Sequence, residues 1–204
     1  MCRSGRTFGG DIHGTRGPRI HGRPRQLRVR SPAERDREGD SRCGKTIREI
    51  ISLPRHWLFK SEPSVFSIAD LARVKSTSWD GVRNYQARNM LRDDVKLGDK
   101  VLIYHSNAEP TGIAGVGTVS MPGHPDETAF DRRHEHYDPK SLRENPTWFL
   151  VDVRHEQTFP HVITRDMLGS DPVAKGMMVL RKGSRLSIQP VTPDEFKAVL
   201  RLAK

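Results

Sequence analysis

The sequence predicts an α+β fold in which a small, curved, mixed or antiparallel sheet closes into a barrel with short flanking helices. Within residues 53–204, five or six short strand patterns are interspersed with four or five short helical patterns. No strand–helix–strand repeat is evident, which argues against a doubly wound parallel sheet. Three glycines, Gly112, Gly115 and Gly117, lie in or beside one strand pattern. Glycines in such positions favour bulges and tight curvature, as in a small barrel.

The first elements are a strand and two short helices. His56–Lys60 is an aromatic and apolar run that predicts a strand. Ser67–Asp70 has the spacing of a capping box and opens a helix that runs through Val74. A loop over Trp79–Tyr85 then leads into a second helix, because the apolar residues after it recur at helical spacing.

The remaining elements follow from apolar runs bounded by turn residues. The predicted strands are Lys100–His105, Ile113–Met121, Trp148–Arg154 and Arg185–Gln189. One helical turn is predicted over Asp126–Phe130, a short helix over Thr164–Leu168, and a closing helix capped at Thr192.

The net charge of +10 is concentrated in the first quarter of the chain. Residues 1–52 hold 13 basic and 6 acidic side chains, whereas residues 53–204 hold 22 and 19. Phe8 is the only Phe, Tyr or Trp before residue 53, so little apolar surface is available there to offset the entropy of ordering. We expect residues 1–52 to be a disordered basic, Arg/Gly-rich extension or an over-extended translation start. The alternative is a basic arm that binds phosphate backbones without sequence preference.

Both cysteines, Cys2 and Cys43, lie in this extension. A disulfide framework, a Cys-rich zinc site and a Cys nucleophile are therefore excluded from residues 53–204. Acidic residues interrupt the extension, which disfavours a mitochondrial transit peptide, and no apolar run is long enough to span a bilayer. We expect a soluble protein with no membrane partner, cytoplasmic or, in a eukaryote, nuclear.

No recognisable catalytic or metal-binding motif is present in residues 53–204. The His134–Asp138 segment is rich in potential ligands, but its spacing matches no standard zinc site, and a solvated polar loop is the better interpretation. His105 and Ser106 are adjacent on a strand pattern, where neighbouring side chains point to opposite faces, so they do not form a simple base–nucleophile pair. We therefore predict no enzyme activity, no cofactor and no metal.

The loop Trp79–Tyr85 is the most suggestive segment for ligand binding. Trp79 and Tyr85 could stack on a planar ring, while Asn84 offers a donor and an acceptor to a base edge. Arg83 could hold a phosphate with two hydrogen bonds. The alternative is that Trp79 fills the core and the loop is an ordinary turn.

Two further clusters contain hydrogen-bonding side chains. Lys60, Ser61 and Glu62 lie at the end of the first strand, where a pocket mouth or simply a solvated turn would form. Arg185, Ser187 and Gln189 share one face of the last predicted strand, which is either a pocket wall or an exposed face.

Four blocks of the sequence resemble the EVE domain family. They are, in order, Trp57–Pro63, Trp79–Asn89, Tyr104–Asn107 and Gly183–Pro190, and the resemblance covers roughly residues 55–203. We therefore expect residues 53–204 to form an EVE domain.

The resemblance implies a PUA-like fold, a small mixed β-barrel with flanking helices, related to domains that read modified bases. It also implies that the blocks converge on one pocket for a modified base, most simply a modified cytosine flipped out of DNA. The candidate ligand-binding residues are Lys60, Ser61, Glu62, Trp79, Arg83, Asn84, Tyr85, His105, Ser106, Arg185, Ser187 and Gln189. The alternatives are an RNA-binding module and a small hydrolase of modified nucleosides that would use His105, Ser106 and Glu62.

Overall fold

The computed structural model describes residues 54–204. The expectation of a disordered extension over residues 1–52 lies outside the described residues. The strands are β1 His56–Ser61, β2 Ser76–Ser78, β3 Lys100–His105, β4 Gly112–Pro125, β5 Phe149–Thr164 and β6 Ile188–Val191. The α-helices are α1 Ile68–Val74, α2 Tyr85–Asn89, α3 Arg165–Ser170 and α4 Pro193–Leu202. A π-helical segment covers Met90–Asp94, and 3-10 turns cover Glu127–Phe130, Ala174–Gly176 and Met178–Leu180.

The strands form a six-stranded mixed sheet in the order β2-β5-β4-β3-β1-β6. β1 and β3 are parallel, and the other neighbouring pairs are antiparallel. The α+β class is confirmed, but the prediction of a closed barrel is wrong, because the sheet has two edges. The two edge strands are β2, with three residues, and β6, with four residues. We call the gap between β2 and the β1–β6 end of the sheet the seam. Side chains pack across the seam in place of strand hydrogen bonds: the ring centroids of Phe59 in β1 and Trp79 just after β2 are 5.4 Å apart.

Alternation along the strands supplies the sheet with two apolar faces. Trp57 and Phe59 pack on one face with α1 and the start of α2, whereas Leu58 packs on the other face with α3 and α4. Val101 and Leu102 divide in the same way along β3. The two cores fix β1 from both sides, and they therefore hold its carboxyl end, at Lys60 and Ser61, in a defined position.

The curvature is concentrated in β4 and β5. Their register shifts at four places, and Gly115 and Gly117 lie beside two of these shifts. A Cβ at Gly115 would lie 2.4 Å from the Gln157 carbonyl oxygen, so only glycine permits this close approach. The prediction that these glycines mark bulges is confirmed.

Several local predictions hold. Ser67 and Asp70 form a complete capping box at α1, and Thr192 and Glu195 form another at α4. The strand β3 has the predicted bounds. β5 extends ten residues beyond Arg154, because β4 pairs with its polar second half.

The predicted strand Arg185–Gln189 is wrong in its first half, since β6 begins only at Ile188. The Gln189 side-chain amide donates hydrogen bonds to Ser184 Oγ and to the Leu186 carbonyl oxygen, which folds the segment before β6 back on itself. Arg185, Ser187 and Gln189 therefore do not share a strand face. In residues 54–204, no helix combines the length and hydropathy that crossing a membrane requires.

Candidate nucleic-acid interface

A cleft of about 580 Å³ opens where the two ends of the curved sheet approach each other. We call this space the cleft. One wall is the carboxyl end of β1 with the turn that follows it, and the other wall is β2 with the segment that leads to Gly81. The lining residues are Lys60, Ser61, Glu62, Val65, Phe66, Thr77, Ser78, Trp79, Asp80, Gly81 and His136. The cleft is thus the unpaired seam of the sheet, and it brings four of the predicted ligand-binding residues together: Lys60, Ser61, Glu62 and Trp79.

Trp79 forms an aromatic wall between the cleft and the core. Its side chain is only 8% exposed, and it packs against Phe59 and, edge-on at 6.4 Å between centroids, against Phe66. Its backbone N–H donates to the Val151 carbonyl oxygen at 2.8 Å. Trp79 therefore fills the core and lines the cleft at once, so the two alternatives drawn from the sequence are not exclusive.

Two buried polar atoms of residues that line the cleft have no hydrogen-bond partner within residues 54–204. They are the hydroxyl oxygen of Ser61 and Nδ1 of His136. A buried polar atom without a partner costs about 1–3 kcal/mol, so most such atoms in proteins are paired. Two residues that line the cleft therefore each hold a buried polar atom that the described part of the chain leaves without a partner.

Gly81 and Arg83 position His136. Gly81 has a φ of +71°, and a Cβ there would lie 2.5 Å from His136 Cε1. Arg83 donates two hydrogen bonds to the His136 carbonyl oxygen, from Nε at 3.1 Å and from Nη2 at 2.5 Å. Glycine thus leaves room for the imidazole, and the guanidinium fixes the backbone that carries it.

Arg83 is itself held by a buried ion pair. Its Nη1 lies 2.7 Å from Oδ2 of Asp126, whose side chain is 1% exposed. Burial raises the pKa of the Asp126 carboxyl, but hydrogen bonds from Thr128 and Arg83 outweigh burial and hold that pKa below its ordinary value. Arg83 therefore braces the wall of the cleft, and its guanidinium already has an anionic partner.

Lys60 connects the cleft to the segment before β6. Its Nζ donates to the Ser184 carbonyl oxygen at 2.9 Å, and its backbone N–H donates to the Ser187 carbonyl oxygen at 2.9 Å. Burial lowers the pKa of the Lys60 ammonium, and the nearby positive charge of Arg165 lowers it further. A negatively charged ligand beside Lys60 would favour the protonated ammonium and so raise its pKa again.

The other predicted residues lie outside the lining of the cleft, and most of their polar atoms are engaged. His105 Nε2 accepts from the Ile68 backbone N–H at 3.1 Å, and burial lowers the pKa of its imidazole. Ser106 Oγ donates to the Ser61 carbonyl oxygen. Asn84 Oδ1 caps α2 by accepting two backbone N–H groups.

Tyr85 is 61% exposed and stacks on Trp148, with 5.0 Å between ring centroids. Arg185 is exposed, Ser187 is half-buried, and Gln189 is buried at 1% exposure. Ser187 accepts the hydrogen bond from the Lys60 backbone N–H, and Gln189 pairs with Leu58 in β1.

Sequence reasoning missed seven lining residues: Val65, Phe66, Thr77, Ser78, Asp80, Gly81 and His136. Gly81 could have been suspected from its place between aromatic and polar residues. His136 had no usable signal, because it comes from a distant polar loop that reaches the cleft only through the tertiary fold. In residues 54–204, no three His, Cys, Asp or Glu side chains converge as a metal site would need.

The curved mixed sheet with short flanking helices and a cleft between its ends is an α+β architecture, in keeping with the PUA-like fold that the resemblance implies. Within that class, the chain belongs to the EVE domain family, whose model matches residues 55–202.

The chain resembles several known members. Thymocyte nuclear protein 1 of Homo sapiens is 44% identical, over 74% of this chain and 75% of that protein. A crystal structure of a protein from Pseudomonas putida is 42% identical and has a TM-score of 0.70, over 73% of this chain and 99% of that one. The crystal structure of the human THYN1 protein in complex with DNA containing 5-methylcytosine is 43% identical, with a TM-score of 0.67, over 74% of this chain and 98% of that one.

Proposed function

We propose that this protein reads a modified cytosine in DNA by binding the flipped base in the cleft, without chemical reaction. The observation that carries the proposal is the cleft itself, with an aromatic wall and unused hydrogen-bonding atoms. It occurs in a chain that is 43% identical to a protein solved with 5-methylcytosine-containing DNA. DNA is the expected partner, and in a eukaryotic cell the nucleus is the expected compartment, in keeping with the name of the human relative.

The groups around the cleft match the edges of a cytosine. The exocyclic amine of cytosine is a donor, and carboxylates are its usual acceptors. Glu62 and Asp80 bring carboxylates to the cleft, whereas Ser61 and Lys60 bring donors for the ring nitrogen and carbonyl oxygen.

A substituent at the 5-position of the base would meet the apolar part of the lining, formed by Val65, Phe66 and Trp79. Burying one methyl group is worth about 0.8 kcal/mol, or roughly a fourfold gain in affinity. Extruding a base costs a few kcal/mol, and stacking on an aromatic side chain returns about 1–3 kcal/mol. Hydrogen bonds in the cleft and phosphate contacts outside it would have to offset the rest of the free energy of base extrusion.

The hydrogen bonds of the candidate catalytic groups support a reader over a hydrolase. The lone pair of His105 Nε2 is occupied by the Ile68 amide, and Ser106 Oγ donates to a carbonyl oxygen. Glu62 accepts from Asn107 Nδ2 at 2.7 Å. Each of the three groups therefore has a structural partner, and none of those bonds joins a base to a nucleophile.

The test is a titration of the full chain with two duplexes that differ only in one 5-methylcytosine, with a matched RNA as competitor. We expect about fourfold or greater preference for the methylated duplex. Equal affinities for the two duplexes would overturn the proposal, and stronger competition by RNA than by DNA would move the function to RNA.

A further inference from the structure

We propose that the residues Arg181, Lys182, Gly183, Ser184 and Arg185, which we call the basic loop, bind the phosphates beside the flipped nucleotide. The inference rests on the proposed function and adds to it the surface that holds the DNA backbone. The phosphates that flank a flipped nucleotide stay bonded to its sugar. They must therefore lie at the mouth of whichever cavity holds the base.

The basic loop carries three positive charges within five residues. Arg181, Lys182 and Arg185 are exposed, and no carboxylate within residues 54–204 lies within 4.0 Å of their charged nitrogens. Some cations on other elements are paired: Arg92 lies 2.7 Å from Asp93, and Lys100 lies 2.6 Å from Glu156. The basic loop thus concentrates positive charge that the described part of the chain does not neutralise.

The basic loop is hydrogen-bonded to a residue that lines the cleft. The Ser184 carbonyl oxygen accepts the hydrogen bond from Lys60 Nζ, and Lys60 lines the cleft. Ser184 therefore lies at the rim of the cleft, on the side of β1, and the hydrogen bond from its backbone N–H to the Arg181 carbonyl oxygen folds Arg181–Ser184 into a turn beside it.

Arg165 adds a further positive charge nearby. Its guanidinium donates to the carbonyl oxygens of Val179 and Leu180, immediately before the basic loop, and it too has no carboxylate within 4.0 Å in the described region. Burial lowers the pKa of the Lys60 ammonium, and the positive charge of Arg165 lowers that pKa further. A phosphate at this rim would relieve that repulsion.

The nearby carboxylates are engaged elsewhere. Glu195 borders the same depression as Arg181, but its Oε2 accepts from the Thr192 backbone N–H as part of the α4 capping box. Glu62 accepts from Asn107. The cations of the basic loop therefore remain available for an external anion, and a DNA backbone at the cleft supplies one in the required place.

The test uses the full chain in which Arg181→Gln, Lys182→Gln and Arg185→Gln are combined, and the methylated and unmethylated duplexes. The matched control combines Lys75→Gln, Lys96→Gln and Arg154→Gln. These three cations are also exposed and have no carboxylate within 4.0 Å in residues 54–204, but they lie on other elements. Affinity is measured between 50 and 200 mM salt.

The logarithm of the affinity falls with the logarithm of the salt concentration, with a slope of about −0.9 per phosphate contact. Each contact therefore contributes about a 3.5-fold loss of affinity between 50 and 200 mM salt, and a variant that has lost the contact should not show that part of the loss. The loop variant should show this smaller loss with both duplexes and keep the same preference for the methylated one. The control variant should stay closer to the unmodified protein.

A salt dependence of the loop variant equal to that of the control would overturn the inference. Lys182→Gln alone should give a smaller reduction of the same kind, and circular dichroism checks that both variants fold. If the duplexes are not distinguished, the proposed function fails, whereas the salt dependence still decides the role of the basic loop.

Discussion

Ser61 and Ser106 show what decides a ligand-binding role at the scale of single residues. Ser61 is the last residue of β1, and Ser106 follows the end of the adjacent strand β3. Ser106 donates to the Ser61 carbonyl oxygen from its backbone N–H and from its hydroxyl. The hydroxyl of Ser106 is used in that contact, whereas the hydroxyl of Ser61 is buried without a partner in residues 54–204. Two serines that look equivalent in the sequence therefore differ in whether a hydrogen bond is left for a ligand.

Ser61→Ala should weaken binding to the methylated duplex about fivefold, because one hydrogen bond contributes about 1 kcal/mol net. The protein should not lose stability, since no intramolecular hydrogen bond of the Ser61 side chain is removed. Ser106→Ala is the matched control and should bind DNA as the unmodified protein does. Fluorescence anisotropy checks both variants, and equal losses in the two would contradict the assignment of Ser61.

His105 predicts a specific pH dependence of stability. Burial lowers the pKa of its imidazole in the folded state, so below about pH 6.5 the unfolded chain binds more protons. The free energy of unfolding should therefore fall as the pH decreases from 7.5 to 5.5, and His56 contributes in the same direction.

In His105→Gln this decrease should be smaller, because the amide oxygen can accept from Ile68 without titrating. Thermal unfolding at several pH values measures the effect. His161→Gln, at an exposed position of β5, is the control and should keep the full decrease. An unchanged pH dependence in the His105 variant would contradict a buried, neutral imidazole.

At the scale of elements, the segment from β2 to α2 builds one wall of the cleft. The backbone N–H of Trp79 continues the pairing of β2 with β5, Gly81 turns the chain under His136, and Asn84 caps the helix that follows. The polar atoms of this segment thus serve mainly to fix its shape.

Gly81→Ala tests that wall, because it adds a Cβ where the His136 ring lies. Gly98→Ala is the matched control, since Gly98 has a φ of +86° and nothing lies within 4 Å of its Cβ position. Both variants should lose about 1 kcal/mol of stability from the left-handed backbone, and Gly81→Ala should lose more because the His136 ring must move. Only Gly81→Ala should also lose preference for the methylated duplex, as thermal unfolding and paired titrations would show. An equal preference for the methylated duplex in both variants would contradict a role for His136 in recognising the base.

The sequence was sufficient for elements with a local signal, such as the capping boxes of α1 and α4 and the apolar run of β3. It was insufficient for β2, because Ser76–Ser78 has no apolar alternation and forms a strand only by pairing with β5. Likewise, the β1 side of the cleft followed from the strand end, but His136 could not be placed because a distant loop brings it there.

At the scale of the whole molecule, most of the net positive charge belongs to residues outside the described part of the chain. Residues 54–204 place carboxylates and cations side by side around the cleft and leave unpaired cations on the basic loop. The larger excess, net +7, belongs to residues 1–52. We therefore expect discrimination between bases and attraction to the backbone to reside in different parts of the chain.

Removing residues 1–52 should weaken binding at 50 mM salt and make the affinity less dependent on salt, because basic side chains are lost. The preference for the methylated duplex should not change. Titrations of the truncated and full chains over 50–200 mM salt measure both quantities, and a lost preference after truncation would place part of the recognition in the extension.

The central claim is that the seam of the sheet holds the modified base. A crystal structure of the full chain with a duplex that contains one 5-methylcytosine tests it most directly. We expect an extruded base in the cleft, in contact with Ser61, Trp79 and His136, and a flanking phosphate at the basic loop. A base that stays stacked in the duplex, or that lies against another face of the protein, would contradict it.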